Sequence, residues 1–299
     1  MAFWQLTVAS SPDISDGLAN FLWEQGALGV VEEESPPEPP RLRAFFADSA
    51  SSTVLLGAVS TYRASLKALG FRVAASEPEI TPLRDGEWAS AWQQSFPPLE
   101  IGRRLMIAPP WEARDGAAAA GRVPVIIEPG RAFGTGHHGS TEGCLALLEQ
   151  TLDSPDRSPS RVLDIGTGSG ILAIAAIKLG VLEALAIDID PDAIAAARVN
   201  ADKNGCANRI RVELHGPERV PSRPPFPLVL ANLLTHTHVA FAAHYARLTA
   251  PGGILVLGGI LADEAAEVSS AIRSAGFEPS ARLVVDGWAS LAFVWPGRS

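Results

Sequence analysis

Residues 161–190 read R-V-L-D-I-G-T-G-S-G-I-L-A-I-A-A-I-K-L-G-V-L-E-A-L-A-I-D-I-D, and this stretch decides the fold. Val162, Leu163 and Ile165 form an apolar run of the kind that parallel sheets bury. Gly166, Gly168 and Gly170 follow at once, and an apolar helix opens at Ile171. A second short apolar strand ends at Asp188. Glycines let the backbone turn sharply and come close to a ligand. A carboxylate ending the second strand can accept the hydrogen bonds of a ribose diol. Strand, glycine turn, helix, strand and acid predict the nucleoside-binding half of a doubly wound sheet.

The glycine spacing narrows the ligand. Dinucleotide folds use G-x-G-x-x-G and aim helix N–H groups at a pyrophosphate. Here G-x-G-x-G follows an acid, Asp164. A carboxylate there repels a pyrophosphate and suits a cationic ligand. S-adenosylmethionine carries a sulfonium and an α-ammonium and no phosphate, so it fits. A glycine-rich turn with no ligand is the plain alternative; the flanking strands and the distal acid argue against it.

Beyond Asp188 the chain keeps alternating. Pro191 to Asn204 reads as a helix, with Pro191 suited to its first turn and Gly205 to its C-cap. Ile210 to Leu214 is a strand, and a proline-rich loop leads to the strand Leu228 to Ala231. Asn232 ends that strand. Ligands of doubly wound sheets lie outside the strand C-termini, so Asn232 is expected on one rim with Gly166, Gly168 and Asp188. Its side-chain carbonyl can accept hydrogen bonds from an attacking amine, which makes it the candidate catalytic residue. An asparagine at a strand end also commonly makes a turn. His236 and His238 open the next helix and read as solvated or capping residues. Pro251-Gly252-Gly253 begins a strand through Leu257, and Leu261, Ala265, Val268 and Ile272 mark an amphipathic helix. Leu283 to Val285 and Ala289 to Trp295 flank Asp286-Gly287, a hairpin signal. The expected fold is α/β, a seven-stranded, doubly wound, Rossmann-like methyltransferase domain over residues 99–299.

Residues 1–76 read as a separate α+β domain in the order βαββαβ, the ferredoxin-like plan. Its strands are Phe3 to Val8, Ala27 to Val31, Leu42 to Phe46 and Phe71 to Ala75. Its second helix carries Leu55, Val59, Tyr62, Leu66 and Leu69 at helical spacing. It holds no cluster of titratable residues, and its expected use is substrate recognition. Residues 77–98 are a linker with a helix, where Trp88 and Trp92 share a face that either packs or lines a groove. Leu105 to Ala108 and Val123 to Glu128 look like a hairpin.

Glu128 to Thr141 reads E-P-G-R-A-F-G-T-G-H-H-G-S-T. Its glycines predict a mobile or closely approached loop, with Phe133 an aromatic lid over bound cofactor. Adjacent His137 and His138 point opposite ways in extended chain and lack a third ligand, so no metal is expected. A helix begins near Ser140, and Thr141 can offer its hydroxyl and N–H to a carboxylate at that helix start.

Net charge is −9, which is poor for general binding of phosphate backbones and suits a basic protein partner. Cys144 and Cys206, the two cysteines, form no metal-ligand spacing. No signal peptide opens the chain, and no apolar run spans a bilayer, so a cytoplasmic location is expected.

Together these motifs resemble the methyltransferase family of large-subunit ribosomal protein L-eleven, PrmA. The resemblance runs nearly end to end and is carried by E-P-G-R-A-F-G-T-G-H-H at Glu128, L-D-I-G-T-G-S-G at Leu163, I-D-I-D-P at Ile187, A-N-L-L at Ala231 and G-G-I-L, whose last three residues are Gly259, Ile260 and Leu261. The E-W-A-S-A-W segment at Glu87 adds to it. It implies cofactor contacts at Thr141, Gly166, Asp188 and Asn232. It also implies methylation of lysine side chains and the N-terminal α-amine of that ribosomal protein, free or on the large subunit. Many members have Pro-Thr-Thr after the loop histidine, whereas Gly139-Ser140-Thr141 follows here. Two other classes remain: a small-molecule or nucleic-acid methyltransferase, and a non-catalytic nucleoside-binding protein. Asn232-Leu233-Leu234 lacks the Asn-Pro-Pro-aromatic signature of the former, and no sequence-specific nucleic-acid binding is expected.

Overall fold

The computed structural model describes residues 3–11, 13–33, 40–47, 49–83, 97–112, 121–129, 139–153 and 159–297. The chain divides into two compact units, Met1–Pro97 and Pro98–Ser299.

The first unit is built from β1 (Phe3–Ala9), α1 (Ser15–Glu24), β2 (Gly29–Glu33), β3 (Arg41–Ala47), α2 (Ser52–Ala68) and β4 (Glu79–Leu83). Its sheet order is β2-β3-β1-β4, antiparallel throughout. Alternation puts Leu6 and Val8 on one face of β1, opposite Ala44 and Leu42 of β3. These pack with Leu18 and Leu22 of α1 and Leu55 and Val59 of α2.

The last strand is not Phe71 to Ala75, as the sequence led us to expect. That segment is coil, with Phe71 43% exposed. Arg63 lies on the buried face of α2, and its Nη2 donates to the carbonyls of Ala74 and Ser76, at 2.6 Å each. Those carbonyls are held by a side chain instead of a ladder. The strand forms later, with Leu83 opposite Phe3 and Glu79 opposite Thr7. Pro82 is tolerated there because β4 is an edge strand.

The second unit opens with a small sheet of β5 (Leu99–Ile101), β6 (Leu105–Ala108) and β7 (Val123–Ile126). The expected hairpin of β6 and β7 is a parallel pair instead. Parallel neighbours need a long connection, and residues 109–122 lie between the two strands. The hairpin is β5–β6, turned at Gly102, whose φ is 55°. The buried Glu149 carboxylate accepts from the N–H groups of Arg103 and Arg104, at 2.7 and 3.0 Å, and fixes that turn.

The remaining elements are α3 (Gly139–Leu152), β8 (Arg161–Ile165), α4 (Ile171–Lys178), β9 (Glu183–Asp188), α5 (Pro191–Lys203), β10 (Ile210–Leu214), β11 (Phe226–Asn232), α6 (Thr235–Leu248), β12 (Thr249–Leu261), α7 (Ala265–Ser274), β13 (Glu278–Val285) and β14 (Trp288–Val294). The strands form one seven-stranded mixed sheet in the order β10-β9-β8-β11-β12-β14-β13. Neighbours from β10 to β12 are parallel; β14 is antiparallel to β12 and β13. The turn between β13 and β14 has Asp286 at φ 47° and Gly287 at φ 81°, the left-handed pair that a two-residue hairpin requires. One apolar core lies on each face of the sheet. From β8 the chain builds outward through β9 and β10, then crosses to β11 on the other side of β8. In doubly wound sheets ligands bind at such a reversal, outside the strand C-termini. Among the described residues no helix is long and apolar enough to cross a membrane.

Candidate functional site

The glycine loop after β8 is held from beneath. Gly166, Gly168 and Gly170 have φ of 69°, 54° and 84°, a region that side-chain-bearing residues enter only with strain. The N–H groups of Gly166 and Thr167 donate to the Ile187 carbonyl at 2.9 and 3.0 Å. Asp164 is fully buried, and its Oδ2 accepts from Thr167 Oγ1 at 2.6 Å and Ala173 N at 3.2 Å. Burial pushes its carboxyl up to about 7, against the two hydrogen bonds and with help from the nearby Asp188 charge. The other oxygen, Oδ1, has no partner among the described residues. Asp164 therefore grips the loop from inside, where the sequence had placed it facing a cationic ligand.

Strand register brings the expected residues to one rim. Ile165 is level with Ile187 on one side and Ala231 on the other, and Asn232 is level with Gly258. Gly166, Asp188 and Asn232 thus stand at neighbouring strand C-termini. Asp188 Oδ2 accepts from Gly168 N and its Oδ1 from Asp190 N, each at 3.0 Å. This fixes the carboxylate on the loop carrying the glycines.

Thr141, fully buried in the first turn of α3, accepts from Asn232 Nδ2 at 3.2 Å. Asn232 Oδ1 is buried and has no partner among the described residues. Such an orphan costs stability unless a ligand or water satisfies it. The space in front of it is kept by glycines. A Cβ at Gly258 or Gly259 would lie 3.1 or 3.0 Å from that oxygen. A Cβ at Gly166 would strike the Leu233 side chain, and a Cβ at Gly258 would strike Cys144 Sγ. The Cys144 thiol is buried and pushed up to about 12, which makes it a packing group and no nucleophile.

Several residues escaped the sequence reading. Ile189, next to Asp188, is 79% exposed, and Leu214, level with Asp188 on β10, is 51% exposed. Both are apolar side chains left in water beside the Asp188 carboxylate. The signal was present, since an apolar residue follows the acid in I-D-I-D. Asn200 of α5 is almost fully buried; its Nδ2 donates to Ser169 O and its Oδ1 accepts from Glu128 N, both at 2.9 Å. It ties the glycine loop to the first residue of the E-P-G-R-A-F-G-T-G-H-H motif. His238 was read as solvated or capping and is instead fully buried, with Nδ1 2.9 Å from Tyr245 Oη and Nε2 2.7 Å from Gly258 O. The helix α6 turns it inward, under the end of β12. Phe133, His137, His138, Trp88 and Trp92 lie outside the described residues.

The donor set matches a nucleoside with a cationic tail. It offers a carboxylate at a strand end, backbone freed of side chains, and an orphaned oxygen at Asn232. Among the described residues no group of three or more His, Cys, Asp or Glu is placed to hold a metal ion.

Residues 2–295 match the model of the family described as Ribosomal protein L11 methyltransferase (PrmA). A ribosomal protein L11 methyltransferase of Trichlorobacter lovleyi is 35% identical, covering 97% of this chain and 97% of that one. One from Pseudomonas putida is 36% identical, covering 98% and 99%. A solved structure of a ribosomal protein L11 methylase from Lactobacillus delbrueckii subsp. bulgaricus superposes with a TM-score of 0.58 at 28% identity, over 66% of this chain and 97% of that one.

Proposed function

Because the chain belongs to the ribosomal protein L11 methyltransferase (PrmA) family, we propose that it transfers methyl groups from S-adenosylmethionine to amines of ribosomal protein L11. The acceptors are lysine side chains and the N-terminal α-amine. The observation that carries this reading is the rim itself: Gly166, Asp188 and Asn232 at adjacent strand ends, with Asn232 Oδ1 buried and without a partner among the described residues. In this reading the seven-stranded sheet is a Rossmann-like methyltransferase domain and the four-stranded unit a ferredoxin-like module that docks the protein substrate. The cofactor set is Thr141, Gly166, Gly168, Asp188 and Asn232, with Phe133 included on the sequence motif alone.

The cofactor supplies an activated methyl on a sulfonium. Asp188 holds the ribose hydroxyls, and the backbone at Gly166 and Gly168 lets the ligand approach. Ile189 and Leu214 cover the base. Thr141 receives the amino-acid carboxylate at the start of α3. The nucleophile must be a neutral amine, and a lysine has a reference pKa near ~10.4. Burial beside a cation favours its neutral form. Asn232 Oδ1 accepts an N–H of the amine and aims its lone pair at the methyl carbon. No side chain on the described rim acts as base, and water takes the proton. Acceleration then comes from alignment, which is where positioned acceptors act most strongly.

The test is direct. The protein is incubated with methyl-labelled S-adenosylmethionine and the ribosomal proteins of a cell. Label in the L11 band, removed by Asn232→Ala, is the expected result. Label in a different protein, in RNA or nowhere would sink the reading.

A further inference from the structure

Asn232 is useful only if its carboxamide points one way, and the residues that decide this lie beneath the rim. The Gly258 carbonyl accepts twice: from Leu233 N at 3.1 Å and from His238 Nε2 at 2.7 Å. Gly258 is also the register partner of Asn232. One carbonyl therefore anchors the residue following Asn232 and sits level with Asn232 itself.

A carbonyl can only accept, so Nε2 of His238 must carry its proton. The ring is neutral, because burial, aided by nearby His236, holds it down to about 4 against hydrogen bonds to the backbone of Gly258 and Leu233. A neutral ring protonated at Nε2 leaves Nδ1 bare. Nδ1 then accepts from the Tyr245 hydroxyl at 2.9 Å. Tyr245 is fully buried, so its hydroxyl keeps its proton and stays a donor. The chain of donors runs one way: Tyr245 O–H to His238 Nδ1, then His238 Nε2–H to Gly258 O. Two polar side chains are buried here at a desolvation cost that an apolar pair would avoid. What the pair delivers is a single fixed orientation at Gly258.

We propose that His238, oriented by Tyr245, is a positioning residue for Asn232. It pins the Gly258 carbonyl, and with it the Asn232–Leu233 corner. Asn232 Nδ2 then stays on Thr141, and Oδ1 stays turned to the amine. Leu233, on the same corner, rests against Gly166, so the corner also borders the glycine loop. This inference rests on the methyl-transfer reading for its catalytic consequence, while its geometric core stands without it.

The experiment compares the full chain with His238→Leu, His238→Gln and Tyr245→Phe. Glutamine places an amide N–H near the Nε2 position and can keep the bond to Gly258; leucine cannot. Four quantities are read: melting temperature, cofactor affinity by calorimetry, turnover of L11, and the nitrogen resonances of His238 and the Asn232 carboxamide. In the wild type, His238 should show a protonated Nε2 and a bare Nδ1. His238→Leu should lower turnover about tenfold or more, lower cofactor affinity by a smaller factor because Asn232 belongs to the cofactor set as well, and shift the Asn232 carboxamide resonance. His238→Gln should recover most of that turnover and the resonance. If His238→Leu does not fold, Tyr245→Phe decides, with the Asn232 resonance shifted and turnover reduced about threefold. A wild-type ring protonated at Nδ1 overturns the proposal. So does a folded His238→Leu with normal turnover, an unmoved Asn232 resonance, or a His238→Gln no better than leucine. If the wild type does not methylate L11, the substrate reading fails. The ring tautomer and the Asn232 resonance then still decide the positioning role.

Discussion

The side-chain amide of Asn232 donates to the hydroxyl of Thr141 at 3.2 Å, joining a strand end to a helix start 91 residues earlier in the chain. Both residues are sequence candidates for one ligand, and this bond couples them. Thr141→Val keeps the buried shape and removes the acceptor. A single net hydrogen bond is worth about 0.5–1.5 kcal/mol, so cofactor affinity and single-turnover rate should each fall roughly two- to tenfold. Calorimetry and rapid quench check it; wild-type values in both would separate Thr141 from the site.

Asp188→Ala should cost more. The carboxylate accepts from Gly168 N and Asp190 N as well as the proposed ribose. Charge-assisted bonds of this kind contribute about 1.5–3 kcal/mol, which corresponds to a roughly ten- to hundredfold loss of cofactor affinity. Asp188→Asn retains one oxygen and should fall between. Unchanged calorimetric affinity in the alanine variant would remove the ribose assignment.

Asp164 and His238 set opposing pH dependences of stability. The Asp164 carboxyl stands at about 7 in the folded chain against a reference of 3.8. Between those values the folded state holds a proton the unfolded state lacks, so stability falls as pH rises. His238 stands at about 4 against 6.5. Between those values only the unfolded state is protonated there, so stability rises with pH. The two slopes cancel where the windows overlap. Asp164→Asn should uncover the rise, and His238→Gln the fall, in urea midpoints measured across the overlap. Parallel pH profiles for all three proteins would contradict both assignments.

Asn200→Ala removes one bond to the glycine loop and one to Glu128, from a buried site. A loss of about 1–3 kcal/mol in unfolding free energy is expected, with weaker cofactor binding. A urea denaturation curve that overlays the wild type would show that the tie carries nothing.

Removing the first unit, Met1–Pro97, should spare cofactor binding, because every residue of the proposed cofactor set lies in the second unit, which has cores on both faces of its own sheet. Methylation of folded L11 should be lost. Full-rate methylation by the truncated chain would end the docking role of the four-stranded unit, whereas activity on a short lysine peptide would not.

The unit from β8 through the glycine turn and α4 to β9 was legible because its signals are local. A buried strand is an apolar run, a sharp turn needs glycine, and the acid follows the second strand directly. The closing hairpin was legible for the same reason at Asp286-Gly287. The fourth strand of the first unit was misplaced because Phe71 to Ala75 has strand-like residues. There the carbonyls of Ala74 and, just beyond, Ser76 are held by Arg63, a partner on another element. The pairing of Leu105–Ala108 with Val123–Ile126 was misread because direction depends on the path of the chain between them, which no residue pattern encodes.

The sequence by itself determined the glycine turn, the acid at Asp188, the asparagine at a strand end and the family, since each depends on residues close along the chain. Only the tertiary structure decided that Thr141 meets Asn232, that Asp164 grips the loop from below, and that His238 is buried against Gly258. Those contacts join residues from different elements. Their energies depend on burial, and burial exists only once the sheet has assembled and its helices have closed over both faces.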